Sequence, residues 1–454
     1  MSSRGTIVYG GSDASDEVHD VIREENFLVE AHGKEPRLVG RRAVLRTALG
    51  AGGVAAFAAR GDAWAEAGPN TVIGLQDWMT TPGRGTGSAP YGLPSHFESA
   101  VVRSLTEHTP TDLSAWSFTP LDRLTGIITP NGLVYERHHA GIPDIDPKKH
   151  RLAIHGLVER PLVLTMDDLL RLPAVSRIYF LECAGNGYTE VVQMPRSRTA
   201  QFSHGLLSCC EWTGIPLGTI LDEAGVRPEA RWILAEGADA AAMARSIPIE
   251  KALDDTLVVY AQNGEMLRPE QGYPIRLLVP GWEGNLSIKW LRRLELGAQP
   301  WHTRDETSKY TDLMPDGTVR QFTFVMEAKS VITRPSGGHH LRAHGFHEIS
   351  GLAWSGRGRV TAVDVSTDGG RTWHRARLDE PVLSKALTRF RSPWRWDGAA
   401  ALLQSRAIDE TGYVQPTREQ LIAVRGTNSE DHFNAIHTWR VSENGEVSNA
   451  LIQA

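Results

Sequence analysis

The sequence predicts an α+β protein, in which a mixed domain of short helices and strands precedes an all-β sandwich of immunoglobulin type. The 454-residue chain holds 44 Gly, 25 Pro and 13 Trp, which favours loop-rich, β-rich structure over a helical bundle. Between residues 99 and 324 helical and strand-like patterns alternate irregularly, as in a mixed domain. From 325 to 454 strand-like runs follow one another with turn residues between them, the pattern of a sandwich. A net charge of -6 with interspersed signs argues against nucleic acid as a partner. No repeat recurs at a fixed period, which excludes a solenoid.

Residues 1–65 read as a leader. Its polar start is followed by Arg41-Arg42, an Ala- and Gly-rich apolar run over 47–59, and Ala63-Trp64-Ala65, a small-x-small cleavage site. This three-part pattern is that of a twin-arginine export signal, which implies a periplasmic protein exported folded, often with a cofactor already loaded. The run is too short and too weakly apolar to span a membrane. Residues 66–98, dominated by Gly, Pro, Ser and Thr, read as an extended arm laid over the fold.

In the mixed domain, 152–157 and 162–164 read as strands around Arg160-Pro161, and 166–172 as a short helix with Thr165 as its N-cap. The apolar run 176–181 is a buried strand. Residues 215–224 read as a helix introduced by Gly214 and closed by Gly225, while 231–235, 256–260, 275–279 and 291–296 are strands. In the sandwich the strands are 349–354, 359–366, 372–378, 388–394 and 401–408. Thr367-Asp368-Gly369-Gly370 is a hairpin turn whose glycines supply positive φ.

The chemistry concentrates at Cys183, which ends the 176–181 strand in Phe180-Leu181-Glu182-Cys183-Ala184-Gly185-Asn186-Gly187. Small residues after the thiol form a tight turn where something bulky can approach the sulfur. The other cysteines, Cys209 and Cys210, stand at no usual metal-cage spacing with it, and vicinal cysteines are poorly placed to bridge one another. What remains open is a packing role, a reactive thiol, or a single ligand to a metal that brings its other ligands with it. His339, His340, His344 and His347 cluster in the sandwich without a matching carboxylate or cysteine, so a second metal site is not expected.

Cys183-Ala184-Gly185-Asn186, Trp212-Thr213-Gly214-Ile215-Pro216-Leu217, Asn263-Gly264-Glu265, Gly272-Tyr273-Pro274-Ile275-Arg276 and Ser287-Ile288-Lys289-Trp290-Leu291 occur in that order. Together they resemble the sulfite oxidase family of molybdenum enzymes. Glu306-Thr307-Ser308-Lys309-Tyr310 and the form of the Cys183 motif most resemble the molybdenum subunit of bacterial Sox-type sulfite/sulfane dehydrogenases. The resemblance implies a molybdopterin-binding catalytic domain over 99–324, an immunoglobulin-like dimerisation domain over 325–454, and a molybdenum-molybdopterin cofactor. It implies that Cys183 is the protein's molybdenum ligand and that Arg137, His139, Asp239, Arg276, Ser287 and Lys289 hold the pterin and its phosphate. Gln271 stands where the family has a histidine. It further implies substrate-facing roles for Arg137, Tyr310 and Arg425, the last reaching in from the sandwich.

The implied activity is oxidation of a sulfur donor, with electrons passed to a c-type cytochrome subunit because the chain has no CxxCH haem motif. The resemblance implies a homodimer of this chain within a hetero-oligomer. Sulfite oxidases place an arginine soon after the motif, where this chain has Gly187 and Tyr188, and a tryptophan where it has Phe202. Both changes favour a sulfane sulfur on a carrier protein over free sulfite. A stand-alone sulfite dehydrogenase and a cofactor-less binding or assembly protein are the alternatives.

Overall fold

Val175–Glu182 (VSRIYFLE) and Leu207–Pro216 (LSCCEWTGIP) are rich in β-formers and pair antiparallel with Glu182 opposite Leu207. The register carries the first strand's end directly into the Cys183 turn. Leu257–Gln262 pairs with Leu207–Pro216, and Glu265–Met266 and Arg276–Leu278 both pair with Leu257–Gln262 to complete the sheet. The computed structural model describes residues 76–80, 82, 91–105, 111–191, 198–428 and 431–451. The twin-arginine segment and its cleavage site lie outside the described residues, as does the arm apart from 76–80, 82 and 91–98. Where the arm is described, Tyr91 Oη bonds Glu265 Oε2 at 3.2 Å and Arg268 Nη2 at 3.1 Å.

A second sheet runs Leu162–Leu164, Leu152–Gly156, Leu291–Gly297, Trp232–Gly237, Ala244–Pro248, with one parallel pair between Leu152–Gly156 and Leu291–Gly297. Between the sheets lies a core of Leu152, Ile154, Ile215, Ile233, Leu277 and Leu294, closed by Leu217, Ile220 and Leu221 of the helix Leu217–Ala224. The predicted helix over 166–172 is Met166–Leu170, with Thr165 and Asp168 forming a reciprocal capping box.

The helix read over 215–224 starts later, at Leu217, because the strand runs on through Gly214 to Pro216. Gly214 serves close strand approach and not helix entry, since a Cβ there would lie 2.3 Å from Val258 O and 2.5 Å from Val259 Cα. Gly214→Ala is therefore expected to lower unfolding free energy by about 1–3 kcal/mol, read by chemical denaturation. An unchanged denaturation midpoint would contradict this packing.

The fold class is the predicted one. The C-terminal region is a sandwich of a four-stranded sheet (Lys329–Arg334, Gly345–Trp354, Thr388–Trp396, Arg377–Leu378) on a five-stranded sheet (His374–Arg375, Val360–Ser366, Ala401–Asp409, Thr438–Val441, Val447–Asn449). Ile332, Ile349, Val363, Phe390, Leu403 and Trp439 fill the space between them. The single strand expected over 372–378 is two short ones in different sheets, broken at Ala376, whose N–H bonds Val363 O at 2.8 Å. Such a crossing closes a sandwich corner. Gly369 and Gly370, at φ 75° and 85°, make the predicted turn. No helix among the described residues is long and apolar enough to cross a membrane.

Candidate active site

Cys183 sits half-buried at the seam of two adjoining clefts. Its N–H bonds Leu206 O at 3.0 Å and its carbonyl accepts from Asn186 N at 2.9 Å, so the backbone is fixed on both sides of the thiol. Burial pushes the thiol up to about 11, while the Gly185 N–H opposes that shift. Cys209 and Cys210, fully buried in the neighbouring strand, are free and line neither cleft. They are packing residues.

The inner cleft gathers Arg137, His139, Cys183, Asp239, Arg276, Ser287, Lys289 and Tyr310, eight of the nine expected site residues. Arg137 ends the short strand Glu136–Arg137, over the Trp116 ring at 5.3 Å. Lys289 Nζ donates to Arg137 O at 3.0 Å, Glu270 O at 3.1 Å and His138 Nδ1 at 2.9 Å. His138, which sequence reasoning passed over for His139, is thus the one side chain among the three acceptors that hold the lysine. Burial, then Lys289, pushes His138 down to about 3, so its neutral ring accepts at Nδ1 and donates from Nε2 to Glu136 Oε2 at 2.9 Å. His139 lines the cleft and is pushed down to about 4 by burial and by Arg137.

Arg276 Nη1 and Nη2 donate only to carbonyls, Gln271 O at 3.1 Å and Ser287 O at 2.8 Å, and its Nε is buried without a partner. Burial lowers it to about 10, which leaves it charged at neutral pH. Ser287 Oγ accepts from Val279 N at 3.0 Å. Gln271, in the histidine's stead, faces the cleft with its Nε2 held by Tyr135 O at 3.2 Å. Among the described residues neither Arg276 nor Lys289 forms a salt bridge, so the buried Arg276 guanidinium and the half-buried Lys289 amine, which desolvation and then Arg276 hold well below the usual lysine range, converge without a carboxylate bonded to either.

The outer cleft, about 760 Å³, opens from Cys183, Arg137 and Tyr310 toward the surface. Trp116, Phe118, Tyr188 and Phe202 give it apolar walls, Lys309 adds a cation, and Asp312 and Asp431 add acids. Tyr310 is pushed up by burial and by Cys183, so its hydroxyl keeps its proton, and the Arg245 guanidinium lies 4.4 Å above its ring.

Arg425 takes a different place from the expected one. It ends the helix Arg418–Arg425, buried, with Nη2 on Glu327 Oε2 at 3.1 Å and Nη1 3.9 Å from Asp312 Oδ2, and it lines neither of these clefts. Two nearby carboxylates hold it back from the cavity. The sandwich region reaches the outer cleft instead through Asn428 and Asp431, with His432 N bonded to Ala184 O at 2.9 Å and its Nε2 to Glu283. Gly187 has φ 101°, and a Cβ there would lie 3.2 Å from Phe433 and 3.4 Å from Lys329 Nζ. A side chain at this position would be strained.

Residues 139–304 match the oxidoreductase molybdopterin binding domain and 320–438 the Mo-co oxidoreductase dimerisation domain. The chain is 33% identical over 288 residues to mitochondrial sulfite oxidase of Homo sapiens, covering 59% of this chain and 52% of that enzyme. It is 50% identical to a chain in the crystal structure of the sulfane dehydrogenase SoxCD from Paracoccus pantotrophus, with a TM-score of 0.81, covering 84% of this chain and 97% of that one. The chain belongs to the sulfite oxidase family. An NADH nitrate reductase of Ulva prolifera, 32% identical over 301 residues, matches 60% of this chain and 34% of its own length. The chain thus spans about half and about a third of the two curated relatives.

As a member of the sulfite oxidase family it is an oxidoreductase that uses a molybdenum-molybdopterin cofactor. The inner cleft fits that group. The orphaned Arg276 Nε and the cations Arg276 and Lys289, which lack carboxylate partners, suit a phosphate, and a lone thiolate suits a soft metal whose other ligands come with the cofactor. Tyr135, His138 and Asn285, which also line the cleft, carry no motif spacing and surface only when the fold assembles them.

Proposed function

We propose that this chain is the molybdenum-bearing catalytic subunit of a sulfane dehydrogenase, acting on sulfur held by a carrier protein. The observation that carries the reading is the outer cleft, about 760 Å³, which leads to Cys183 and has no cation at Gly187. Likeness to the sulfane dehydrogenase SoxCD over 97% of its chain supports the same reading. Export to the periplasm by the twin-arginine route, a c-type cytochrome as electron acceptor, and self-association through the sandwich complete the proposal.

When bound, the cofactor supplies the two-electron oxidation chemistry. Cys183 would ligate the molybdenum, with Arg276, Lys289, Ser287, Asp239 and His139 holding the pterin from the inner cleft. Arg137 and Tyr310, lining both clefts, would orient the sulfur, Arg137 by charge and Tyr310 through its neutral hydroxyl. Trp116, Phe118, Tyr188 and Phe202 line the path between carrier and thiol with apolar surface.

The closest rival is a sulfite dehydrogenase, and steady-state kinetics with cytochrome c as acceptor separate the two. The persulfidated carrier is expected to exceed sulfite in kcat/KM by about 10–100-fold, the ratio set by losing one charged contact of ~1.5–3 kcal/mol. A higher kcat/KM for sulfite would overturn the sulfane reading.

A further inference from the structure

The residue before Cys183 is a carboxylate of 0% exposure that no role above uses. Glu182 Oε1 accepts from Lys329 Nζ at 3.0 Å and from Asn186 Nδ2 at 2.9 Å, and its Oε2 accepts from Trp354 Nε1 at 2.6 Å. Lys329, 1% exposed, also donates to Asn186 O at 2.8 Å. Its ammonium lies 3.4 Å from where a Gly187 Cβ would stand. One cation therefore bonds the Cys183 turn at both Glu182 and Asn186. Lys329 and Trp354 both come from the four-stranded sheet of the sandwich, on Lys329–Arg334 and Gly345–Trp354.

A buried ion pair is weak evidence for stability, because desolvation offsets the attraction and apolar residues of like volume often serve as well. What apolar residues cannot supply is direction. Here every polar atom of the pair is spent on fixed hydrogen bonds that converge on the turn carrying the thiol.

We propose that Glu182 and Lys329 are positioning residues, through which the sandwich fixes the Cys183 turn and aims its sulfur at the inner cleft. The proposal rests on Cys183 being the molybdenum ligand. It does not depend on which sulfur donor is oxidised.

The test compares full-length holoenzyme with Lys329→Met, with the double variant Glu182→Leu/Lys329→Met, and with Glu182→Gln. Melting temperature, molybdenum per pterin, the electron paramagnetic resonance signal of partly reduced protein, and kcat and KM per molybdenum are read for each. Lys329→Met alone is expected to melt lower, because it strands a buried carboxylate. The double variant should regain the melting temperature yet keep an altered resonance signal and a kcat lowered about tenfold or more, with KM within about twofold.

A double variant with both wild-type signal and wild-type kcat would make the pair a structural filler and overturn the proposal. Should the double variant fail to fold, Glu182→Gln decides, since it keeps shape and an acceptor oxygen. An altered signal at unchanged KM supports positioning, and a wild-type signal overturns it. Cys183→Ser serves as the control for the premise. If it leaves the resonance signal unchanged, the ligand assignment falls and takes this proposal with it.

Discussion

Cys183→Ser is expected to abolish turnover while leaving the fold and most of the bound pterin in place. The thiol is half-buried at the seam of the two clefts, and Cys183 itself is held through its backbone N–H and carbonyl, so the exchange of sulfur for oxygen disturbs packing little. Arg276 and Lys289, which suit the phosphate, are untouched by it. A hydroxyl is a harder and far less acidic donor than a thiol, so it cannot stand in as a soft anionic ligand. A loss of kcat of about 1000-fold or more, ~4 kcal/mol of barrier, is expected at a melting temperature close to that of the parent. Steady-state assay, pterin fluorescence after release, and thermal melting read the three outcomes. Turnover near the parent's would remove Cys183 from the site.

The strength of this expectation comes from how legible the Cys183 turn is. A strand of β-formers ending in Cys-Ala-Gly-Asn needs no distant partner to announce itself, and Val175–Glu182 forms where the pattern places it, although it is buried only over Phe180–Glu182 and exposed at Ser176 and Arg177. Strand positions in the sandwich follow for the same reason. Lys329–Arg334 was missed because Lys329 and Arg334 break its apolar pattern, yet Lys329 faces inward onto Glu182, 147 positions away in the chain. No local period reports such a pairing. Gly214 shows the reverse error, a local signal overridden by tertiary contact, because a glycine before a helical run looked like punctuation and is a close strand crossing.

Arg425 fails similarly. Its position before Gly426 is that of a helix end, and its charge is met by Glu327 and Asp312, which are 98 and 113 residues upstream. Asn428 and Asp431, three and six residues further on, are what the sandwich region presents to the outer cleft. The general location was readable and the side chain was not.

Arg276→Met is expected to lower cofactor retention by about 10–100-fold, the effect of losing a charged hydrogen-bonding partner worth ~1.5–3 kcal/mol to a bound phosphate. Its effect on the cofactor-free protein should be much smaller, and the reason lies in what surrounds the guanidinium. Arg276 donates to the Gln271 and Ser287 carbonyls and to no carboxylate, so its removal strands no buried anion. Two carbonyls lose a donor, while the desolvation that holds the arginine down to about 10 is relieved. These effects oppose each other. Lys329→Met differs in sign of risk, because there the abandoned partner is the fully buried Glu182 carboxylate. Binding of the cofactor to the folded protein raises its melting temperature by linkage, and the variant should lose part of that increment while the apo forms melt within a few degrees of each other. Pterin per protein and paired apo and holo melts measure both. An apo form that collapses would make Arg276 a structural residue, and full pterin retention would place the phosphate elsewhere.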